Sequence, residues 1–268
     1  MLSTLSNVAK RHPLLTFFIL AYALSWWLAP FGGGLLPLGP LFAVLIVAPL
    51  IDGKAGLKRW WSFITRRGGR LGWYVTAVIL IFAMNFAAAA LAVLLGASFP
   101  AADTITLWPE VLFITFPLYF ILIALGEETG WRGFAMPRLQ EKHSALTASL
   151  ILGIFVALWH LPLVIFSERP FFATLPLMLI TFAAQFILTW LANHVEGKVL
   201  IVMLAHAAQG GLGGEYFGSM FTGADAVLES WLLVAIFGLV ALGIVLLTGS
   251  RLTHRQPIEP VAIAWIRI

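Results

Sequence analysis

Residues 124–139 read ALGEETGWRGFAMPRL, and they follow an apolar run over 109–126 whose only charge is Glu110 at its edge. Two adjacent carboxylates and an arginine placed directly after such a run need a reason. Composition frames it. Hydrophobic residues make up 61% of the 268-residue chain, charged residues 10%, and the mean hydropathy is +0.97. A soluble domain carries roughly a quarter of its residues charged. The chain therefore reads as an all-α, polytopic membrane protein. It has no cysteine, which excludes disulfides, thiolate metal sites and thiol nucleophiles. The net charge of +4 sits in short clusters beside apolar runs, where bilayer orientation explains it. No aromatic-interleaved basic face accompanies it, so nucleic acid is not an expected partner.

A membrane span needs roughly 20 mostly apolar residues. About eight runs qualify: 14–30, 33–51, 71–95, 109–127, 145–166, 171–193, 198–218 and 230–248. With the N-terminus inside, Lys10, Arg11, Lys54, Lys58, Arg59, Arg66, Arg67, Arg70, Arg132, Arg138, Lys142, Lys198, Arg251, Arg255 and Arg267 all fall on the cytoplasmic side. Only Arg169 falls outside, so the positive-inside rule supports eight spans with both termini cytoplasmic. Lys10 and Arg11 followed by Ala21, Tyr22 and Ala23 look like a signal peptide, yet the apolar run continues to Pro30 as a full span. No repeat or linker divides the chain. It reads as a single integral membrane domain over 1–268, with a motif-bearing core over about 109–215 and a basic cytoplasmic loop over 52–70.

Ionisable groups at membrane depth are costly and are functional candidates by default. Glu128 and Arg132 are four residues apart, share one helical face and can pair. Glu127 points about 100° away and stays available for chemistry. His160, in LGIFVALWHLPLV, and His206, in LIVMLAHAAQGG, stand alone in apolar runs. The fourth and fifth spans form an antiparallel hairpin in which Glu127 and His160 are equidistant from the connection at His143 and Ser144, so the two side chains should lie at one level. His206 lies eight residues past Lys198, roughly 12 Å below the inner surface at ~1.5 Å per residue. A carboxylate and two imidazoles at a common depth, in the cores of spans four, five and seven, suit a hydrolytic site. A glutamate paired with a histidine can act as general base on water. The same groups can hold a divalent metal such as Zn²⁺, although no H-E-x-x-H is present.

The E-E-x-x-x-R at Glu127, Glu128 and Arg132, the tryptophan-preceded histidine of LWHLP and the later histidine of LAHAAQ, taken in order, resemble the CAAX-protease and bacteriocin-processing (Abi) family of intramembrane proteases. The resemblance covers about residues 109–215. It implies a helical membrane peptidase that opens to the cytoplasm and acts on a membrane-embedded or lipidated peptide; eukaryotic relatives remove the last three residues from prenylated CAAX proteins. By motif position Glu127 and His160 would activate water, Glu128 and Arg132 would brace the site, and His206 would stabilise the oxyanion. The family pattern has Asn or Asp four residues after the last histidine, and Gly210 stands there instead. Gln209 is the candidate replacement, and an asparagine restored at 210 is expected to raise activity if the backbone there is helical. Phe155 and Val156 depart mildly at the second motif. Two other readings stay open: a catalytically lapsed immunity or binding protein of the same fold, and a proton-coupled transporter using Glu and His as a relay.

Overall fold

The computed structural model describes residues 2–32 and 34–254; the expected cytoplasmic C-terminus, with Arg255 and Arg267, lies outside them. Helices account for 83% of the described residues, and no strand occurs among them. In chain order they are α1 (Leu2–Arg11), α2 (Pro13–Trp26), α3 (Gly39–Ile64), α4 (Leu71–Leu94), α5 (Ala102–Gln140), α6 (Ala145–Trp159), α7 (Leu161–Ile165), α8 (Phe171–His194), α9 (Val199–Ala207) and α10 (Gly223–Thr248). A helix hydrogen-bonds its own backbone, which is what a bilayer interior demands.

Six helical segments are long and apolar enough to cross a membrane: Pro13–Phe31, Gly39–Ile64, Leu71–Leu94, Ala102–Gln140, Phe171–His194 and Gly223–Arg251. The expected count of about eight is therefore not reached by unbroken helices. The two runs that fall short are the two carrying His160 and His206. In the first, α6 stops at Trp159 and α7 begins at Leu161, because Pro162 has no N–H to give the preceding turn and its ring crowds that turn. In the second, α9 ends at Ala207 and the chain continues as the widened π-helical turns Ala208–Phe217. Both breaks fall beside the histidines.

The basic segment expected as a loop over 52–70 is helical up to Ile64. Asp52 and Gly53 leave helical geometry, Gly53 with φ of 56°, a left-handed value that glycine adopts without penalty. The chain kinks there, and Arg59 pairs with Asp52 across the bend. Trp60 is thereby turned inward, where its Nε1 donates to the Thr129 carbonyl at 3.1 Å.

The core around the opening motif is aromatic. Phe17 meets Trp131 edge-on at 5.5 Å, Trp131 meets Trp159 edge-on at 5.7 Å, and Phe18 stacks on Phe155 at 4.1 Å. Trp26 Nε1 donates to the Trp159 carbonyl at 2.9 Å and the Tyr22 hydroxyl to that of Phe155, so α2 clamps the end of α6 just before His160. A second cluster joins α4, α8, α9 and α10 through Ile81, Ile187, Leu191, Val202 and Phe237. The site lies where the two meet.

Candidate active site

Gly126 and Gly130 bracket the two glutamates on α5. A Cβ at Gly126 would come within 2.6 Å of the Pro37 carbonyl oxygen, and one at Gly130 within 2.6 Å of Pro40 Cβ. Two glycines four apart let the start of α3 press onto α5, as small residues do between membrane helices. The other face of the same turns carries Glu127 and Glu128. Both are buried, at 3% and 1% exposure, and Arg132 is buried at 3% on the π turn Trp131–Ala135.

Glu128 is held through Oε1, and its Oε2 makes no hydrogen bond among the described residues. Arg132 Nη1 donates to Glu128 Oε1 at 3.2 Å and lies 3.1 Å from Oε2, while His206 Nδ1 donates to Oε1 at 2.7 Å. Such charge-assisted bonds are the strong ones, and in a dry site they fix geometry. The expected Glu128–Arg132 pairing is present, and it reaches His206 as well. With Nδ1 given to Glu128, His206 turns Nε2 toward Glu127, 4.0 Å from Oε2. That oxygen makes no hydrogen bond among the described residues, although the Trp131 indole lies beside the carboxylate. His160, at the break between α6 and α7, donates Nδ1–H to the Val156 carbonyl at 2.8 Å. Its Nε2 is therefore the basic nitrogen.

Glu127, Glu128, His160, His206 and Gln209 line one cavity of about 70 Å³. Helix α5, the break between α6 and α7, helix α9 and the π-helical turns after it thus bring together residues spread over 83 positions of sequence, from Glu127 to Gln209. Beyond the Glu128–Arg132 pair lies a wider cavity of about 730 Å³, lined by Arg66, Arg70, Arg132 and Lys198 among others. Glu128 lines the smaller cavity and Arg132 the wider one.

Gly210 is explained by packing. A Cβ there would lie 2.0 Å from the Tyr119 ring, and Tyr119 donates its hydroxyl to Glu215 at 2.5 Å. The expectation that an asparagine at 210 would raise activity is withdrawn, since the ring occupies its place. Gln209 lines the cavity and its Oε1 accepts from Asn85 Nδ2 of α4 at 2.9 Å. Anchoring the amide oxygen leaves the nitrogen as the free donor. Asn85 itself is 0% exposed and also donates to the Ile81 carbonyl. Sequence reasoning missed it, and also Gln185, which lines the cavity from α8. The signal was available: each is a lone amide inside an apolar run, and buried amides in membrane helices mark function as charges do.

Among the described residues no group of three or more His, Asp or Glu side chains is disposed to hold a metal ion. Glu128 is taken by Arg132 and His206, and both histidine Nδ1 atoms are engaged.

Residues 108–211 match the Rce1-like family model. Its description is type II CAAX prenyl endopeptidase Rce1-like, and the matched segment contains every residue of the cavity motif from Glu127 to Gln209. A curated relative, CAAX prenyl protease 2 of Methanococcus maripaludis, is 32% identical over 101 residues, which is 34% of this chain and 37% of that protein. The chain thus matches little more than a third of the relative's length. Similarity to the Rce1-like proteins is confined to α5–α9, the part that builds the cavity, and it agrees with the multi-helix membrane architecture.

Proposed function

We propose that the protein is an intramembrane endopeptidase that hydrolyses a peptide bond of a membrane-associated substrate, in the manner of the Rce1-like proteins, with water as nucleophile. Glu127 is the general base. Its carboxylate takes a proton from water as the oxygen adds to the scissile carbonyl carbon. His160 Nε2 supports the same water, and the carbonyl electron pair moves onto oxygen. His206, as an imidazolium with its Nδ1–H on Glu128, donates through Nε2 to that oxyanion, and Gln209 donates through its Nε2. The tetrahedral intermediate collapses, the C–N bond breaks, and the proton held by Glu127 passes to the leaving amine. Glu128 and Arg132 react with nothing; they hold the His206 ring at the correct angle. Asn85 does the same for Gln209.

The observation that carries this reading is the division of labour between adjacent carboxylates. Glu128 accepts from Arg132 and His206 through Oε1 and keeps Oε2 3.1 Å from the same guanidinium, while Glu127 Oε2 has no hydrogen bond among the described residues and lies 4.0 Å from His206 Nε2. A structural ion pair alone would not require the second. The proposed substrate is a lipidated, CAAX-like peptide, on the strength of the relative's name. We further propose an inner-membrane protein with both termini cytoplasmic, supported by the distribution of Lys and Arg. The test is mass spectrometry of prenylated and unprenylated peptides incubated with purified protein in H₂¹⁸O. The expected result is cleavage of the prenylated peptide with one ¹⁸O in the new carboxylate. No cleavage of any membrane-anchored peptide would refute the reading.

A further inference from the structure

Gln185 sits in the middle of α8, one turn beyond Thr181, and is 3% exposed. Its Nε2 donates to the Thr181 carbonyl at 3.2 Å. A carbonyl oxygen only accepts, so the nitrogen must face it and the orientation of the amide is fixed. That leaves Oε1 as an acceptor. It has no hydrogen-bond partner among the described residues, and Gln185 and Thr181 line the same 70 Å³ cavity as Glu127, His160 and His206. An amide oxygen buried without a donor in an apolar span carries a desolvation cost that a purely structural role would not leave standing.

Three oxygens of residues lining the cavity make no hydrogen bond among the described residues, Glu127 Oε2, Glu128 Oε2 and Gln185 Oε1; Glu128 Oε2 lies 3.1 Å from Arg132 Nη1, which leaves Glu127 Oε2 and Gln185 Oε1 without a partner. They come from α5 and α8. A species able to satisfy both must offer two donors from one small centre. Water does so, and the cavity is well above the ~15 Å³ that one water needs. Neither a peptide carbonyl nor an oxyanion can, since both are acceptors. A single backbone N–H can serve one oxygen only.

We infer that Gln185 is a catalytic residue that accepts one proton of the attacking water in a hydrogen bond while Glu127 accepts the other. This rests on the endopeptidase reading above. With both O–H bonds pinned, the water's lone pair is directed at the carbonyl carbon, and transfer of the proton on the Glu127 side completes the addition. Gln185 neither gains nor loses a proton. His160 Nε2, which carries no proton of its own, shares the hydrogen bond on the Glu127 side of the water.

The test compares Gln185→Met with Gln185→Ala in purified protein acting on the peptide that the wild type cleaves. Methionine fills the same volume without an acceptor, so kcat should fall about 10²-fold with KM within about twofold, on the scale of losing one preorganised polar partner. Alanine leaves space for a second water that replaces the amide oxygen. Its kcat should therefore lie above that of Gln185→Met despite the larger deletion. A packing role gives the reverse order, because alanine opens the larger cavity, and that order would overturn the inference. So would either variant at wild-type kcat, which keeps the test decisive if one of them fails to fold. If the wild type cleaves nothing, the endopeptidase reading has failed. If it cleaves and both variants match it, only the role of Gln185 has.

Discussion

Removing the negative charge of Glu128 leaves the Arg132 guanidinium without its counter-charge and weakens the acceptor it shares with His206 Nδ1, in a place where Glu128 is 1% and Arg132 3% exposed. Breaking a buried pair from one side costs about 3–5 kcal/mol. Glu128→Gln should therefore lower the thermal unfolding midpoint markedly and reduce, without erasing, peptide hydrolysis; an unchanged midpoint would show that the network is not structural. At Gln209 the effect is different in kind. Gln209→Ala removes an oxyanion donor and should cost about 10²- to 10³-fold in kcat with KM little changed. Asn85→Ala should move kcat in the same direction by less, since Gln209 keeps its donor and loses only its anchor. Full activity in both variants would return the oxyanion to His206 alone. The Glu128–Arg132 pair was legible in sequence because a spacing of four fixes one helical face. The Asn85–Gln209 pair spans 124 residues, and no local rule reaches that far.

Close approach at the level of elements depends on glycines with no room for a Cβ. At Gly130 that atom would meet Pro40 of α3 at 2.6 Å, and at Gly210 it would meet the Tyr119 ring at 2.0 Å. Gly130→Val and Gly210→Asn should each destabilise by about 1–3 kcal/mol, the usual range for overpacking, read as a fall in unfolding midpoint and in activity together. A Gly210→Asn protein more active than wild type would contradict the packing described here. The same elements explain why eight runs of apolar sequence became six long helices. Hydropathy sums over a window and is blind to helix continuity. Pro162 was visible as a breaker in LWHLP, whereas the widening over Ala208–Phe217 has no such marker in AQGGLGGEYF. The paired depth of Glu127 and His160, read from their symmetry about His143 and Ser144, needed only the hairpin and is matched by their shared cavity.

Over the whole molecule, apolar surface faces outward in a way only lipid tolerates: Leu94, Phe113, Leu246 and Leu247 are 70–89% exposed. In the proposed topology the two broken helices cross as well as the six long ones, which returns the chain to its starting side. A reporter inserted in the connection around residues 221–223 should then read extracytoplasmic and one fused to the N-terminus cytoplasmic; the opposite readings would reverse the topology. Composition alone made the membrane class legible, because 61% hydrophobic residues leave no alternative burial. Partner helices for each polar side chain were not legible, since an apolar span offers no pattern that says which face meets which neighbour. The central claim is that Glu127 supplies the base while its neighbour only braces. The most direct measurement is single-turnover cleavage of a prenylated peptide in proteoliposomes by wild type, Glu127→Gln and Glu128→Gln at matched folded fractions. The account predicts no detectable product from Glu127→Gln and residual product from Glu128→Gln. Cleavage by Glu127→Gln at a rate near wild type would contradict it.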